Sequence, residues 1–281
     1  MSDYKIVADS SAELPAKFDN DPRFVHVPFN IQVGDEHIID DENLNVMELL
    51  SKIAACKDCP KSSCPSPDAF IEAFKGPEKR VYVVTISSKL SGCYNSAVLA
   101  KDIYDEEYGD KEIFVIDSLS ATGGESLLVM RAHELEQQGV SFGVICERLT
   151  EYRDSINTYV VLDNLETFIK NGRLGRVTGL AATTLRIKPL LVADNGELIA
   201  ADKSIGLRKA WSAMSKRIIT DVSKEATNTK RVIITHCNNL PGAEKVKEML
   251  KACSQFSEFI IMQTSGLSSV YANDGGIVVA C

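Results

Sequence analysis

Short apolar runs alternate with segments of helical spacing along most of the chain. Val81–Ile86 (VYVVTI) is continuously apolar, as expected of a strand buried on both faces. Tyr4–Ala8 and Ile113–Ile116 are runs of the same kind. Val46, Leu49, Leu50 and Ile53 share one face of a helix predicted over Val46–Ala55. Further helices are predicted over Asp68–Phe74, Tyr94–Tyr104, 121–138 and 141–153. The stretch Phe24–Ile39, interrupted at Pro28 and Gly34, predicts a strand followed by a hairpin. Asp9-Ser10-Ser11 is a turn-and-cap cluster able to open a helix. Residues 56–67 (CKDCPKSSCPSP) predict a loop, because their three prolines and three serines disfavour a regular element. This order of strands and helices implies a parallel sheet covered by helices, with right-handed crossovers.

The second half changes character. Thr158–Leu162 predicts a strand and Leu165–Lys170 a helix that stops at Asn171-Gly172. Residues 176–186 have helical spacing. Ile187–Val192 and Leu198–Asp202 flank Asp194-Asn195-Gly196-Glu197, a hairpin signal. A long helix is predicted over 207–222, then strands at Arg231–Thr235 and Phe259–Met262 around a helix at 242–252, and a last strand at Ile277–Ala280. A hairpin among these strands implies a mixed sheet. The expected architecture is therefore two α/β domains: residues 1–155 with a mostly parallel sheet, residues 156–281 with a mixed one, and a ligand cleft between them.

At roughly 100–200 residues per domain, 281 residues fit this division. No apolar run approaches the ~20 residues of a membrane span, so stable membrane insertion is not expected. The polar, acidic start MSDYKIVADSS does not read as a signal peptide, which implies a cytoplasmic protein. The net charge of −8 lacks the basic footprint of a nucleic-acid binder. The charge is uneven, with −12 on residues 1–150 and +4 on residues 151–281. Eight cysteines in such a chain are expected to be reduced thiols.

Standard catalytic signatures are absent. There is no G-x-x-x-x-G-K-[ST], no G-x-G-x-x-G, no G-x-S-x-G and no H-E-x-x-H. His26, His37, His133 and His236 are scattered and read as structural. Cys56-x-x-Cys59-x-x-x-x-Cys64, with Cys93 as a fourth thiol, is the feature closest to a zinc or redox site, although zinc ligands usually come as two close pairs. Two loops are rich in hydroxyls: Ser62-Ser63-Cys64-Pro65-Ser66-Pro67, and Ser87-Ser88-Lys89-Leu90-Ser91-Gly92 between a buried strand and a helix. Loops at the C-terminal ends of parallel strands bind ligands in open α/β sheets. A helix N-terminus at Ser91-Gly92 would favour an anion, and Ser91 as a simple N-cap fits equally well. No base adjoins these serines in the local sequence, so a carboxylate or phosphate clamp is easier to build than a nucleophile.

These residues carry a resemblance. The chain resembles the DegV family of bacterial fatty-acid-binding proteins, the lipid-carrying subunits of fatty acid kinase. The match runs through Ala8-Asp9-Ser10-Ser11 with Leu14-Pro15, the loop Ser62–Pro67 (Thr-Ser-Gln-Pro-Ser-Pro in the family), Ile86–Ala97, and Leu165–Leu190 with Asn171-Gly172-Arg173-Leu174-Gly175. The resemblance implies one fatty acid buried between two α/β domains, its carboxylate held by Ser62 and Ser91 with Ser63 and Gly92 beside them. Cys64, Tyr271 and Arg208 are further candidate contacts. It implies no catalytic residue, no metal and no cofactor, the fatty acid itself being the ligand. The implied partner is a separate ATP-dependent fatty acid kinase subunit. Two departures stand out: Ile205 where relatives often carry Arg, with Arg208 nearby, and Tyr271 where they often carry His. The competing readings are a hydrolase or transferase using Ser62 or Ser91 on an anionic substrate, and a cysteine-based metal or redox protein.

Overall fold

The computed structural model describes residues 3–174, 187–224 and 230–281. The first half contains β1 (Tyr4–Asp9), β2 (Phe24–Val27), β3 (Asn30–Val33), β4 (Glu36–Ile39), α1 (Val46–Ala55), β5 (Lys61–Ser63), α2 (Pro67–Phe74), β6 (Arg80–Thr85), α3 (Cys93–Glu107), β7 (Glu112–Asp117), α4 (Gly123–Gln137) and α5 (Phe142–Asp154). The second contains β8 (Thr158–Val161), α6 (Glu166–Lys170), β9 (Ile187–Asp194), β10 (Glu197–Ile205), α7 (Leu207–Val222), β11 (Lys230–His236), α8 (Leu240–Leu250), β12 (Phe256–Gln263), α9 (Gly266–Ala272) and β13 (Ile277–Ala280).

The first sheet has the order β2-β1-β6-β7 and is parallel throughout. Its strands are apolar on both faces because both are covered. Val7, Val81 and Val83 pack against Phe70 and Phe74 of α2 and Ala97 and Ala100 of α3. Ile6, Ala8, Tyr82 and Val84 pack against Leu128 and Leu135 of α4 and Ile145 and Leu149 of α5. The second sheet is mixed, in the order β10-β9-β8-β13-β11-β12, with only β11 and β12 parallel. Alternation divides its faces. Tyr159 and Val161 point to α7 and α8, against Trp211, Met214 and Val246. Val160, Leu162 and Val278 point the other way, toward the first half of the chain. Helix α4 lies between the sheets: its Leu127 and Met130 reach Ile233 and Ala280 of the second sheet. The Asn195-Gly196 hairpin forms as expected, with φ of +47° and +84°, the signs a tight two-residue turn requires.

Three local expectations are corrected. Residues 61–63 are not loop: β5 pairs antiparallel with β3 (Ser62 opposite Ile31), in a small β4-β3-β5 sheet. Pro60 and Pro65 bracket this strand, and its partner is some thirty residues away, beyond any local signal. Asp9-Ser10-Ser11 opens no helix; Asp9 ends β1, and the next helical residues are a single 3-10 turn at Ala16–Phe18. Helix α9 is an element the hydrophobic pattern does not indicate. It packs in the first half, with Leu267 in the core beside α2 and α3 and Val270 beside Ile31 and Leu49. The helix expected over 176–186 lies outside the described residues.

Candidate functional site

The order of the parallel sheet reverses between β1 and β6: from β1 the chain steps outward to β2, then returns to build β6 and β7 on the other side. Ligands of open α/β sheets sit at such a switch point, beyond the carboxyl ends of the strands. A cavity of about 260 Å³ opens there. Its floor comes from the segments that follow β1, β6 and β7 (Ser11, Ile86–Gly92, Leu119–Thr122), and its opposite wall from Thr158, Val160, Leu162, Ala193, Leu198 and Val278 of the second sheet. Leu119 and Thr122 both have φ above +50°, strained for side chains with a Cβ, and both face the cavity.

Ser62, Ser63, Cys64, Ser91, Gly92 and Tyr271 all line this cavity. Ser62 and Ser63 arrive on β5, Ser91 and Gly92 at the start of α3, and Tyr271 on the last turn of α9. Ser62 Oγ and Tyr271 Oη are 3.1 Å apart, within hydrogen-bond distance. Ser91 is not the N-cap of α3, which is Gly92; its Oγ accepts from the Cys93 amide (3.2 Å) from one residue earlier and still lines the cavity. A Cβ on Gly92 would meet only Cys64 Sγ, at 3.7 Å, and its φ of −74° suits any residue. A side chain would therefore fit here, in ordinary contact with Cys64.

Arg208 does not belong to this group. It lies at the exposed start of α7, on the helix behind the second sheet. Ile205 is likewise 66% exposed. Among the described residues, the cation in the cavity wall is Arg173. Helix α6 ends in a left-handed turn in which Gly172 (φ +66°) donates to Ile169 O at 3.1 Å and Arg173 N to Phe168 O at 2.9 Å. That turn sends the Arg173 side chain into the cavity, where its guanidinium donates to Leu90 O. The Asn171-Gly172 stop signal marks this reversal, and the cation immediately after it is the available clue.

Behind the floor lies a set of buried carboxyls, of which Asp9 belongs to the Ala8-Asp9-Ser10-Ser11 motif and Glu13, Asp40 and Glu125 to none. Asp9 Oδ2 accepts from the Ile86 amide (2.7 Å) and from the Cys93 thiol (3.2 Å), tying β1 to the loop after β6. Ser11 Oγ contacts both Asp9 Oδ1 (2.9 Å) and Glu125 Oε1. A hydroxyl has one hydrogen, so two carboxyl neighbours require a proton on one of them. Glu125 is the one suited to hold it: burial, with the Asp9 charge adding, pushes it well above the usual carboxylate range, and its Oε2 has no hydrogen-bond partner. Burial also raises Asp9, Asp40 and Glu13, the last to about 7.

The geometry bears on the competing readings. Among the described residues, no hydrogen bond joins Ser62 or Ser91 to a histidine or a carboxylate, which a serine nucleophile needs. The four cysteines of the metal reading face different places: Cys93 toward Asp9, Cys64 into the cavity, Cys56 and Cys59 into a separate polar groove beside α1 and α6. Among the described residues no group of three or more His, Cys, Asp or Glu side chains could hold a metal ion, and no helix is long and apolar enough to cross a membrane.

A sequence model of the family described as "Uncharacterised protein, DegV family" matches residues 3–281. A DegV domain-containing protein of Streptococcus pneumoniae is 35% identical over 280 residues, 98% of each chain. Among solved structures, a DegV-family protein of Ruminococcus gnavus, refined with vaccenic acid, is 40% identical, covers 100% of this chain and 99% of its own, and superposes with a TM-score of 0.96. The Streptococcus pneumoniae fatty acid kinase (Fak) B3 protein, loaded with linoleic acid, is 35% identical over 100% of this chain and 99% of that one, with a TM-score of 0.88. A DegV-family protein of Eubacterium eligens loaded with heptadecanoic acid is 28% identical over 99% of both chains, also with a TM-score of 0.88.

Proposed function

The chain belongs to the DegV family, and from that premise we propose that it carries one long-chain fatty acid in the cavity between its two sheets. The observation that carries this reading is the cavity's division of labour. One group of lining residues offers the Ser62, Ser63 and Ser91 hydroxyls, the backbone at Gly92, and Arg173; another group, including Val160, Leu162, Leu198 and Val278, is apolar, and Ser11, Ser120, Thr122, Thr158 and Ser268 also line the cavity. A carboxylate suits the first group, because hydroxyl and guanidinium donors give charge-assisted hydrogen bonds to it. An alkyl chain suits the second, at about 0.8 kcal/mol per buried CH₂. The tail then supplies most of the affinity and the polar end its orientation. The fatty acids in the related structures of Ruminococcus gnavus, Eubacterium eligens and Streptococcus pneumoniae support the same ligand class.

The reading is of a carrier, not a catalyst. The sequence carries no G-x-x-x-x-G-K-[ST] motif, and on this reading activation of the carboxylate to an acyl phosphate falls to a separate ATP-dependent kinase in the same cytoplasm. The fatty acid kinase name of the Streptococcus pneumoniae relative supports that partner class. The test is mass spectrometry of the purified protein, native and then solvent-extracted. One C14–C18 fatty acid per chain is expected. Absence of lipid, even after incubation with palmitate or oleate, would overturn the carrier reading.

A further inference from the structure

Helix α9 belongs to the second half of the chain, yet its Leu267 and Val270 are buried in cores of the first, and four of its seven residues (Leu267, Ser268, Tyr271 and Ala272) line the cavity. Its sequence, GLSSVYA, has little intrinsic preference for a helix. Its position comes from elsewhere. Asp40, at the end of β4, receives the Gly266 amide on Oδ1 (2.7 Å) and the Leu267 amide on Oδ2 (2.8 Å). Glu13 Oε1 receives the preceding amide, from Ser265 (3.0 Å), and the Ser265 hydroxyl (3.1 Å). Three successive N–H groups at the start of the helix are thus held by two buried carboxyls from the first forty residues of the chain. Gly266 is part of the same fit: a Cβ there would overlap the Asp40 carboxyl and Leu44 Cδ2. At the far end of the helix, Tyr271 meets Ser62 on β5, and β5 belongs to the same small sheet as β4.

We propose that Asp40 is a positioning residue for ligand recognition: by clamping the start of α9 it sets Tyr271 against Ser62 and so shapes the end of the cavity that reads a carboxylate. The inference rests on the carrier reading above for its ligand, and on the hydrogen bonds alone for its geometry. Asp40 does not line the cavity and touches no ligand in this account. Its effect runs through Tyr271.

The test substitutes Asp40→Asn, which keeps the shape but sets an amide N–H₂ against one of the two helix N–H groups. Affinities are measured for palmitic acid and for hexadecan-1-ol, which has the same tail and no carboxylate, in wild type, D40N, Y271F and the double variant. Hydrogen exchange of residues 266–272 is followed in the ligand-free proteins. D40N is expected to weaken palmitate about tenfold, the order of one misplaced charge-assisted hydrogen bond. The alcohol should change less than about twofold, the D40N effect should vanish in the Y271F background because both act through one contact, and α9 amides should exchange faster. Equal losses for acid and alcohol would mark Asp40 as merely structural and overturn the proposal, as would a full D40N effect in the Y271F background. If D40N does not fold, G266A attacks the same contact from the helix side with the same outcomes. If wild type binds neither palmitate nor the alcohol, the carrier reading falls, and unchanged α9 exchange in D40N would overturn the clamp independently.

Discussion

Glu13 provides a stability test that needs no ligand. The residue is 7% exposed, its Oε2 is buried without a hydrogen-bond partner while Oε1 accepts from Ser265, and burial raises the carboxyl from 4.5 to about 7. A carboxyl raised in the folded state binds its proton there while the unfolded chain has already released it. The unfolded state therefore holds fewer protons between the two values, and stability falls as pH rises. The contribution is full below the unfolded value of 4.5 and lost as pH passes the folded value near 7. Between these two values this amounts to about 3 kcal/mol, most of which falls between pH 5 and pH 8. Glu13→Gln keeps an oxygen for Ser265 and cannot ionise, so its stability should lack this decline. Asp9, Asp40 and Glu125 are raised in the same direction, so both proteins should lose stability with pH. The difference between them isolates Glu13. The assay is urea unfolding of delipidated protein at several pH values, because bound ligand would add its own linkage. The single tryptophan, Trp211, is buried under the second sheet and gives the fluorescence signal. E13Q should gain on wild type by about 2–3 kcal/mol between pH 5 and pH 8. Parallel stability curves would refute the assignment of this proton to Glu13.

Other substitutions address the site directly. Ser62→Ala and Ser91→Ala should each weaken fatty-acid binding by roughly 1–3 kcal/mol in calorimetric titrations, and an unchanged dissociation constant for both would remove the hydroxyl clamp. Arg173→Ala should cost about 1.5–3 kcal/mol of affinity and reduce the salt dependence of binding; a variant that binds as wild type does, at low and high salt alike, would show that this cation does not meet the carboxylate. Val160→Phe narrows the apolar wall, so the acid that co-purifies should become shorter, each expelled CH₂ weakening the native-length ligand by about 0.8 kcal/mol. An unaltered chain-length profile in the mass spectrum would place the tail elsewhere.

What the residues disclosed, and what they withheld, follows the range of the forces involved. Val81–Ile86 could be read as a two-faced buried strand because burial on both sides leaves its mark within six consecutive residues. Asn195-Gly196 could be read as a turn because positive φ at adjacent positions is a local demand. The serines of the cavity could be ranked because two of their loops announce themselves, one by position after a buried strand, the other by its resemblance to a family. Arg208 is a candidate from the sequence because it lies close to Ile205, where relatives often carry Arg, whereas Arg173 stands inside a family motif with no role assigned to it. What separates them is the left-handed turn at Gly172, which directs one arginine inward, while the start of α7 leaves the other on the surface. Helix α9 and strand β5 were illegible for a common reason. Each is a weak local former completed by a partner far along the chain: β5 by the backbone of Ile31, α9 by the carboxyls of Asp40 and Glu13. Those carboxyls look like solvated loop acids in the sequence, yet burial with amide donors makes them part of the frame. The two illegible elements are also the two that bring Ser62 and Tyr271 together. One side of the site is thus built where local pattern is least informative, from contacts spanning more than two hundred residues.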